Sequence, residues 1–380
     1  MKVILSIDPI KYPLTGIGRY SLELAKELAQ ISEIDSLRFF RGVRICDSIP
    51  LPAQTPNSMG QIRGRMLKNR LAVSLYRLLA PELKKHALRG FDDHVFHGPN
   101  FYLPPFAGRS VVTMHDLSPF NWSSCHPPER VRYMRAEIEL SLKRASMLIT
   151  DSEFIRQELA IQFGWPLEKI RAIPLASAPE FHPRDPKALL PLQQKYGLLP
   201  GTYSLFVGTI EPRKNIIPLL DAYSMLPEST RRRWPLILVG YRGWSNDAIH
   251  ARIADAERAG WVRHLGFVTT DDLPLLFAGA RLFVFPSLYE GFGLPVLEAM
   301  ASGVPVVCSN TSSLPEVAGD AAAMCDAYDI DSLSRLIARG LEDESWRAPS
   351  IAKGLVRAGQ FSWRRCAEET TSVYQAVSQH

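Results

Sequence analysis

The stretch EGFGLPVLEAMASGVPVV, Glu290–Val307, decides the reading of this chain. It holds two glutamates, Glu290 and Glu298, with Gly291, Phe292, Gly293, Leu294 and Pro295 directly behind the first. Upstream, RLFVFP (Arg281–Pro286) is a short run of β-branched and aromatic residues, the pattern of a buried strand. PVVC (Pro305–Cys308) reads the same way. Pro295 suits the first turn of a helix, where its missing N–H costs nothing, and Gly303 suits the left-handed stop. This places Glu290 on a strand-to-helix loop and Glu298 about one turn into the helix. Gly291 and Gly293 let backbone N–H groups approach a ligand closely. A helix N-terminus is an anion site, and a carboxylate accepts well from vicinal hydroxyls. The arrangement suits a ligand with phosphate at the helix end and hydroxyls on either side. Geometry alone leaves a second reading open: a solvated Glu290 and a Glu298 on a helix surface, as in any α/β protein.

Outward from this stretch the chain alternates strand and helix patterns. KVILSI opens it, followed by an amphipathic helix over 18–31 with Tyr20, Leu24 and Leu28 on one face. HVFHG (His94–Gly98), SVVTMHD (Ser110–Asp116) and MLITD (Met147–Asp151) read as buried strands. A proline-rich region, Ile173–Pro200, reads as a linker. Strand patterns resume with YSLFVGTI (Tyr203–Ile210), LILVG (Leu236–Gly240) and HLGFV (His264–Val268). This is the order of two doubly wound α/β halves, whose default ligand site is the crevice at the carboxyl ends of the strands.

Composition bounds the class. With 380 residues, 46% hydrophobic and 22% charged, the chain is globular and suits two domains. Its five cysteines, at 46, 125, 308, 325 and 366, are odd in number and contain no CxxC, which argues against zinc or a disulfide framework and for a reducing compartment. MKVILSI is too short for a signal peptide, and no apolar run is long enough to cross a bilayer. Charge is uneven. Segment 61–90 carries Arg63, Arg65, Lys68, Arg70, Arg77, Lys84, Lys85 and Arg89 against Glu82 alone, with Ile62, Met66, Leu67, Leu71, Leu75, Leu78 and Leu79 at helical spacing. A basic amphipathic helix is a candidate for an anionic membrane surface; a solvated helix on the core is the alternative. No nucleic-acid motif is present. Asp92–Asp93 and Asp271–Asp272 read as turn and helix-cap residues rather than metal ligands.

The quoted stretch, continued by SNTSSLPEVAGDAA (Ser309–Ala322), resembles the signature of the retaining glycosyltransferases of family 4, which have the GT-B fold. FVGTIEPRKN (Phe206–Asn215) resembles a second block of that family, with Gly208 followed by Lys214-Asn215. GIGRY (Gly16–Tyr20), VVTMHDL (Val111–Leu117) and ITDSEF (Ile149–Phe154) follow the family's order. The flavour is that of bacterial mannosyl- and rhamnosyltransferases of O-antigen synthesis. The resemblance implies two Rossmann-like domains. Residues 1–185, joined by a returning C-terminal helix at 361–380, would bind acceptor, and 186–360 would bind the nucleotide sugar. It implies no cofactor and no metal. Arg213 and Lys214 match the diphosphate-binding pair, as a forked and a point cation. Glu290, with the N–H groups of Gly291 to Leu294, matches the donor-sugar site, and Glu298 matches the ribose carboxylate. Gly16 matches a loop glycine near the diphosphate, and His115 a histidine near the transferred sugar. Retention is implied without an assigned carboxylate nucleophile, unlike retaining glycosidases. The route implied is front-face attack, with the departing phosphate taking the acceptor's proton.

The expected activity is transfer of a hexose, mannose or D-rhamnose from its GDP donor, onto a lipid-linked saccharide at the inner face of the cytoplasmic membrane. A UDP-sugar transferase is the alternative within the class. A GT-B nucleotide-sugar epimerase and an inactive donor-binding subunit are the alternatives outside it. A dinucleotide-binding oxidoreductase is disfavoured, because Gly16 and Gly18 stand a loop away from the first strand and lack the third glycine. A hydrolase is disfavoured by the absence of G-x-S-x-G and H-E-x-x-H.

Overall fold

The computed structural model describes residues 1–49, 70–244 and 246–379, with backbone alone over 70–78. Two sheets organise it. The first contains β1 (Lys2–Ser6), β2 (Ser36–Arg41), β3 (Arg44–Cys46), β4 (Val95–Gly98), β5 (Arg109–Met114), β6 (Met147–Thr150) and β7 (Ile170–Ala172). Its order is β3-β2-β1-β4-β5-β6-β7, parallel except for the edge pair β2–β3. The second contains β8 (Ser204–Val207), β9 (Leu236–Val239), β10 (Val262–Gly266), β11 (Leu282–Phe285), β12 (Val306–Ser309) and β13 (Ala322–Cys325). Its order is β10-β9-β8-β11-β12-β13, parallel throughout. In each sheet the order reverses direction beside the first strand, the topology that opens a crevice at the strand ends. Central strands buried on both faces need continuous apolar runs, and Leu282–Phe285 and Val306–Ser309 are buried along their whole length.

Five helices matter for the site: α1 (Gly16–Leu28), α2 (Arg70–Ala87), α3 (Glu153–Phe163), α4 (Leu294–Ala301) and α5 (Trp363–Ser378). Helix α1 begins two residues before the expected start and is capped by Thr15, whose hydroxyl accepts from the Gly18 N–H. Gly16 therefore opens a helix rather than sitting on a loop. Tyr20, Leu24 and Leu28 are buried, as the helical spacing predicts. Helix α5 follows the second sheet in sequence yet packs on α1 and on β4, β5 and β6 of the first. A buried polar chain fixes it there. The Tyr374 hydroxyl pairs with His97 Nδ1 at 2.7 Å, His97 Nε2 with Thr113 Oγ1 at 2.9 Å, and Thr113 with the Tyr20 hydroxyl at 2.9 Å.

Most of the basic segment lies outside the described residues: 61–69 altogether, and the side chains of 70–78. In the remainder of α2, Leu79 and Leu83 are each 51% exposed. Lys84 instead turns inward, 3.4 Å from Asp8 and over the Tyr102 ring. Asp272 stands at a helix start, but its carboxylate does not cap that helix. It takes hydrogen bonds from Lys195, Tyr196 and Thr269 instead.

Candidate active site

Helix α4 begins one residue before Pro295, with Gly293 at φ 109° as its N-cap and Gly303 at φ 74° behind it. Glu290 lies on the loop after β11 and Glu298 inside α4, as the spacing predicts. Neither is solvated. Arg213 is 9% exposed, and Lys214, Glu290 and Glu298 are 7% each, which excludes a basic loop in water and a surface helix.

The turn Pro212–Lys214 follows β8 and is stitched onto the β11 loop. Leu288 N–H and the Ser287 hydroxyl donate to the Arg213 carbonyl, and Arg213 Nη1 donates to the Tyr289 carbonyl at 2.6 Å. Asn215 ends the turn in the left-handed region at φ 58°, and its amide donates to the Ala327 carbonyl. Lys214 Nζ donates to Glu290 Oε1 at 2.5 Å, and Ser287 Oγ donates to the same oxygen at 2.5 Å. Arg213 Nη1 is 3.6 Å from Glu290 Oε2, while its Nε and Nη2 donate to Glu211. Burial pushes the Glu290 carboxyl up, but Lys214 and Arg213 outweigh it and hold the group below its ordinary value, ionised. Asp116 is likewise drawn down against burial, chiefly by Arg213. Glu298 differs. Burial raises it to about 7, only partly offset by Arg19, with Glu180 adding to the rise.

The backbone of Glu290 is fixed by serines of the β12 loop. Its N–H donates to Ser312 Oγ at 2.9 Å, and its carbonyl accepts from Ser313 Oγ at 3.0 Å. Ser313 also donates to the Phe292 carbonyl, while the Phe292 ring turns away against Phe361. Gly208, directly after β8, lies 3.7 Å from the Lys214 stem, measured from where a Cβ would stand.

The first sheet closes over this cluster. Gly291 packs so tightly on the loop after β5 that a Cβ would stand 1.8 Å from the His115 carbonyl oxygen. Ser152 Oγ donates to the Gly291 carbonyl at 2.7 Å. Glu316 accepts from the N–H groups of Glu153 and Phe154, at the N-terminus of α3. The Tyr289 hydroxyl accepts from Leu117 N–H and donates to Glu158. Leu294 at the start of α4 lies within 3.9 Å of the same construction on Gly16, so α1 and α4 meet end to end across the two sheets.

His115 sits at the carboxyl end of β5 as predicted, but both its ring nitrogens are engaged. Nδ1 pairs with Asp151 at 2.7 Å and Nε2 with the Pro99 carbonyl at 2.9 Å. Burial disfavours its charge, yet Asp151 and the Pro99 carbonyl raise its pKa. Its ring fixes the loop, and its main chain contacts Gly291. The Tyr20 ring stands edge-on to it at 5.0 Å.

Sequence reasoning missed Glu211, Ser287, Tyr289, Ser312, Ser313 and Asp151. Glu211 stands two residues before Arg213 inside a quoted block, and Ser312 and Ser313 lie in the SNTSS run, so both signals were present.

A buried cation pair, two glutamates and a helix terminus thus lie together between the two sheets. The model of the family "Glycosyl transferases group 1" matches residues 193–354. O-antigen chain mannosyltransferase B of Escherichia coli is 48% identical over 99% of this chain and 100% of its own length. The chain belongs to the group 1 glycosyl transferases. Serotype-specific mannosyltransferase WbdA of Escherichia coli is 35% identical over 68% of this chain and 32% of that protein. Among solved structures, Anabaena HepE in complex with UDP and glucose superposes with a TM-score of 0.70 at 19% identity, covering 99% of this chain and 100% of that one. WaaG, a glycosyltransferase involved in lipopolysaccharide biosynthesis, gives 0.69 at 16% identity, with 98% and 99% covered. These likenesses show the GT-B fold of this glycosyltransferase.

Proposed function

We propose that this glycosyltransferase moves mannose from GDP-mannose onto a lipid-linked saccharide in O-antigen synthesis, with retention and without a metal. GDP-D-rhamnose is the alternative donor. The observation that carries the reading is the sealed cluster of Arg213, Lys214 and Glu290 beside the N-terminus of α4. It has the charges a nucleoside diphosphate leaving group requires. As the glycosidic bond to phosphate breaks, negative charge grows on the diphosphate, and preorganised cations and helix N–H groups stabilise it most at that moment. In this reading Arg213 and Lys214 hold the diphosphate with the N–H groups of Gly291 to Leu294, and Gly16 and Gly208 leave room for it. Glu290 takes sugar hydroxyls, and Glu298 takes the ribose hydroxyls. His115, held by Asp151 and Pro99, shapes the wall beside the sugar.

The sugar and the acceptor are suggested by the 48% identity to an O-antigen chain mannosyltransferase. Glu211 is committed to Arg213, Asp151 to His115 and Asp116 to the Ser118 N–H, while Glu290 and Glu298 are assigned to the sugar and ribose hydroxyls. That supports a route without a carboxylate nucleophile, in which the acceptor attacks on the face of the departing phosphate. Among the described residues no helix is long and apolar enough to cross a membrane. Attachment to the inner membrane face through 61–90 is part of the proposal.

The test is a panel of labelled GDP- and UDP-sugars with a lipid-linked acceptor, the product analysed by mass and by anomeric NMR. Transfer of mannose with its α configuration kept supports the reading. Transfer from UDP-sugars alone replaces the donor. Epimerised donor without transfer, or binding without turnover, replaces the activity.

A further inference from the structure

The two cations that the donor's diphosphate would need are already held by carboxylates. Glu211 and Glu290 hold Arg213 and Lys214 in a buried cluster of two carboxylates and two cations, with the half-buried Asp116 feeling the charge of Arg213. Glu211 engages Arg213 alone among the two, from the same turn. Glu290 is the carboxylate shared by both, and Lys214 Nζ points its closest contact at Glu290 Oε1. A diphosphate binding these groups competes with Glu290 for the same N–H donors. Like charges in a water-poor site repel strongly, so the two anions do not share Lys214 without cost.

The Glu290 backbone is pinned by Ser312 and Ser313, so relief comes from its side chain. That side chain gives up Lys214 only where other donors replace it. A sugar on the diphosphate supplies them, because its hydroxyls are donors to a carboxylate. A bare nucleoside diphosphate supplies none. We infer that Glu290 discriminates between the sugar-bearing donor and the sugarless nucleoside diphosphate, leaving the cations for sugar hydroxyls when donor arrives and reclaiming them after transfer to expel the product. The inference rests on the donor reading above and adds to it: the residue that grips the sugar is also the competitor that drives product release.

The experiment is calorimetric titration of wild type, Glu290→Gln and Glu290→Asp with GDP, with UDP in parallel, and with intact GDP-mannose. Removing the competing charge in Glu290→Gln raises GDP affinity by roughly tenfold, the scale of one charge-assisted contact, while GDP-mannose binds no tighter than before. Glu290→Asp keeps the charge and the competition, so its GDP affinity stays near wild type; a thermal melt of each variant confirms the fold. If wild type binds GDP but Glu290→Gln binds it equally or more weakly, the inference is overturned and the donor reading stands. If wild type takes up neither GDP nor UDP, the donor reading falls and takes the inference with it.

Discussion

Replacing His97 by Gln tests how the crossing helix is held. His97 is fully buried between Tyr374 of α5 and Thr113 of β5. Burial, with His115 nearby, pushes its pKa from 6.5 down to about 3. The folded protein therefore keeps this ring neutral where an unfolded chain would protonate it. Above the unfolded value both states are neutral and nothing is lost. Below it the unfolded state binds a proton that the fold refuses, and stability drops by about 1.4 kcal/mol per pH unit until the folded value is reached. Between pH 7 and pH 5 the loss from this one ring is about 2 kcal/mol. Glutamine offers a donor and an acceptor to the same partners and has no such titration. Urea unfolding followed by tryptophan fluorescence, wild type against His97→Gln at pH 7, 6 and 5, cancels the groups common to both. Wild type loses about 2 kcal/mol relative to the variant over that range. A difference that stays flat from pH 7 to pH 5 refutes the claim that the fold holds His97 neutral.

Lys214→Met and Arg213→Met each remove a contact that strengthens as the leaving group departs, so kcat/KM falls by about 2–4 kcal/mol in transition-state stabilisation; near-normal turnover in both would remove them from the chemistry. Glu298 titrates near 7, and its ionised form is the better acceptor for ribose hydroxyls, so GDP affinity rises from pH 6 to pH 8 and the rise disappears in Glu298→Gln; a flat profile in wild type contradicts the ribose assignment. EDTA leaves transfer intact, because in the proposed mechanism the cation pair and the α4 terminus do the electrostatic work; activity lost to EDTA and restored by magnesium or manganese overturns that. Serine at Arg63, Arg65, Lys68 and Arg70 reduces sedimentation with anionic liposomes, each basic residue contributing about 1 kcal/mol in a salt-sensitive way. It also slows transfer to lipid-linked acceptor more than to a soluble one. Unchanged liposome binding at low salt would remove the segment from the membrane proposal.

The strands that fill the centres of both sheets were legible because burial on two faces forces unbroken apolar runs such as LFVF and VVC. Strands at or beside an edge escape that logic. Ser36–Arg41, next to the edge strand β3, mixes arginines with Phe39 and Phe40, and the edge strand Ile170–Ala172 is three residues long at the margin of the proline-rich stretch. The site divides in the same way. Glu290, Glu298 and Gly293 were readable from spacing, because one strand-loop-helix unit sets their places. What Glu290 touches was not, because Lys214 comes from the loop after β8 and Ser312 and Ser313 from the loop after β12, and spacing along a chain carries no record of which loops converge. His115 shows the limit most clearly. Its place at a strand end was visible, while its engagement with Asp151 and Pro99 depends on β6 and the β4 loop lying alongside.

The return of α5 also has a consequence for the order in which the chain matures. Domains generally fold as they emerge during synthesis, N-terminal first. Here the first sheet is complete by Ala172, but the helix that covers its α1 and its buried His97 begins only at Trp363. Until then Tyr20, Thr113 and His97 have no Tyr374 to close their polar chain, and an apolar seam along α1 stays open. The second sheet, whose strands end at Cys325, finishes its own hydrogen-bonded pairing without that wait. The half of the molecule made first is thus the half sealed last: a nascent chain that has emerged as far as Ala358 carries every helix and strand of the second half and a first half still unsealed.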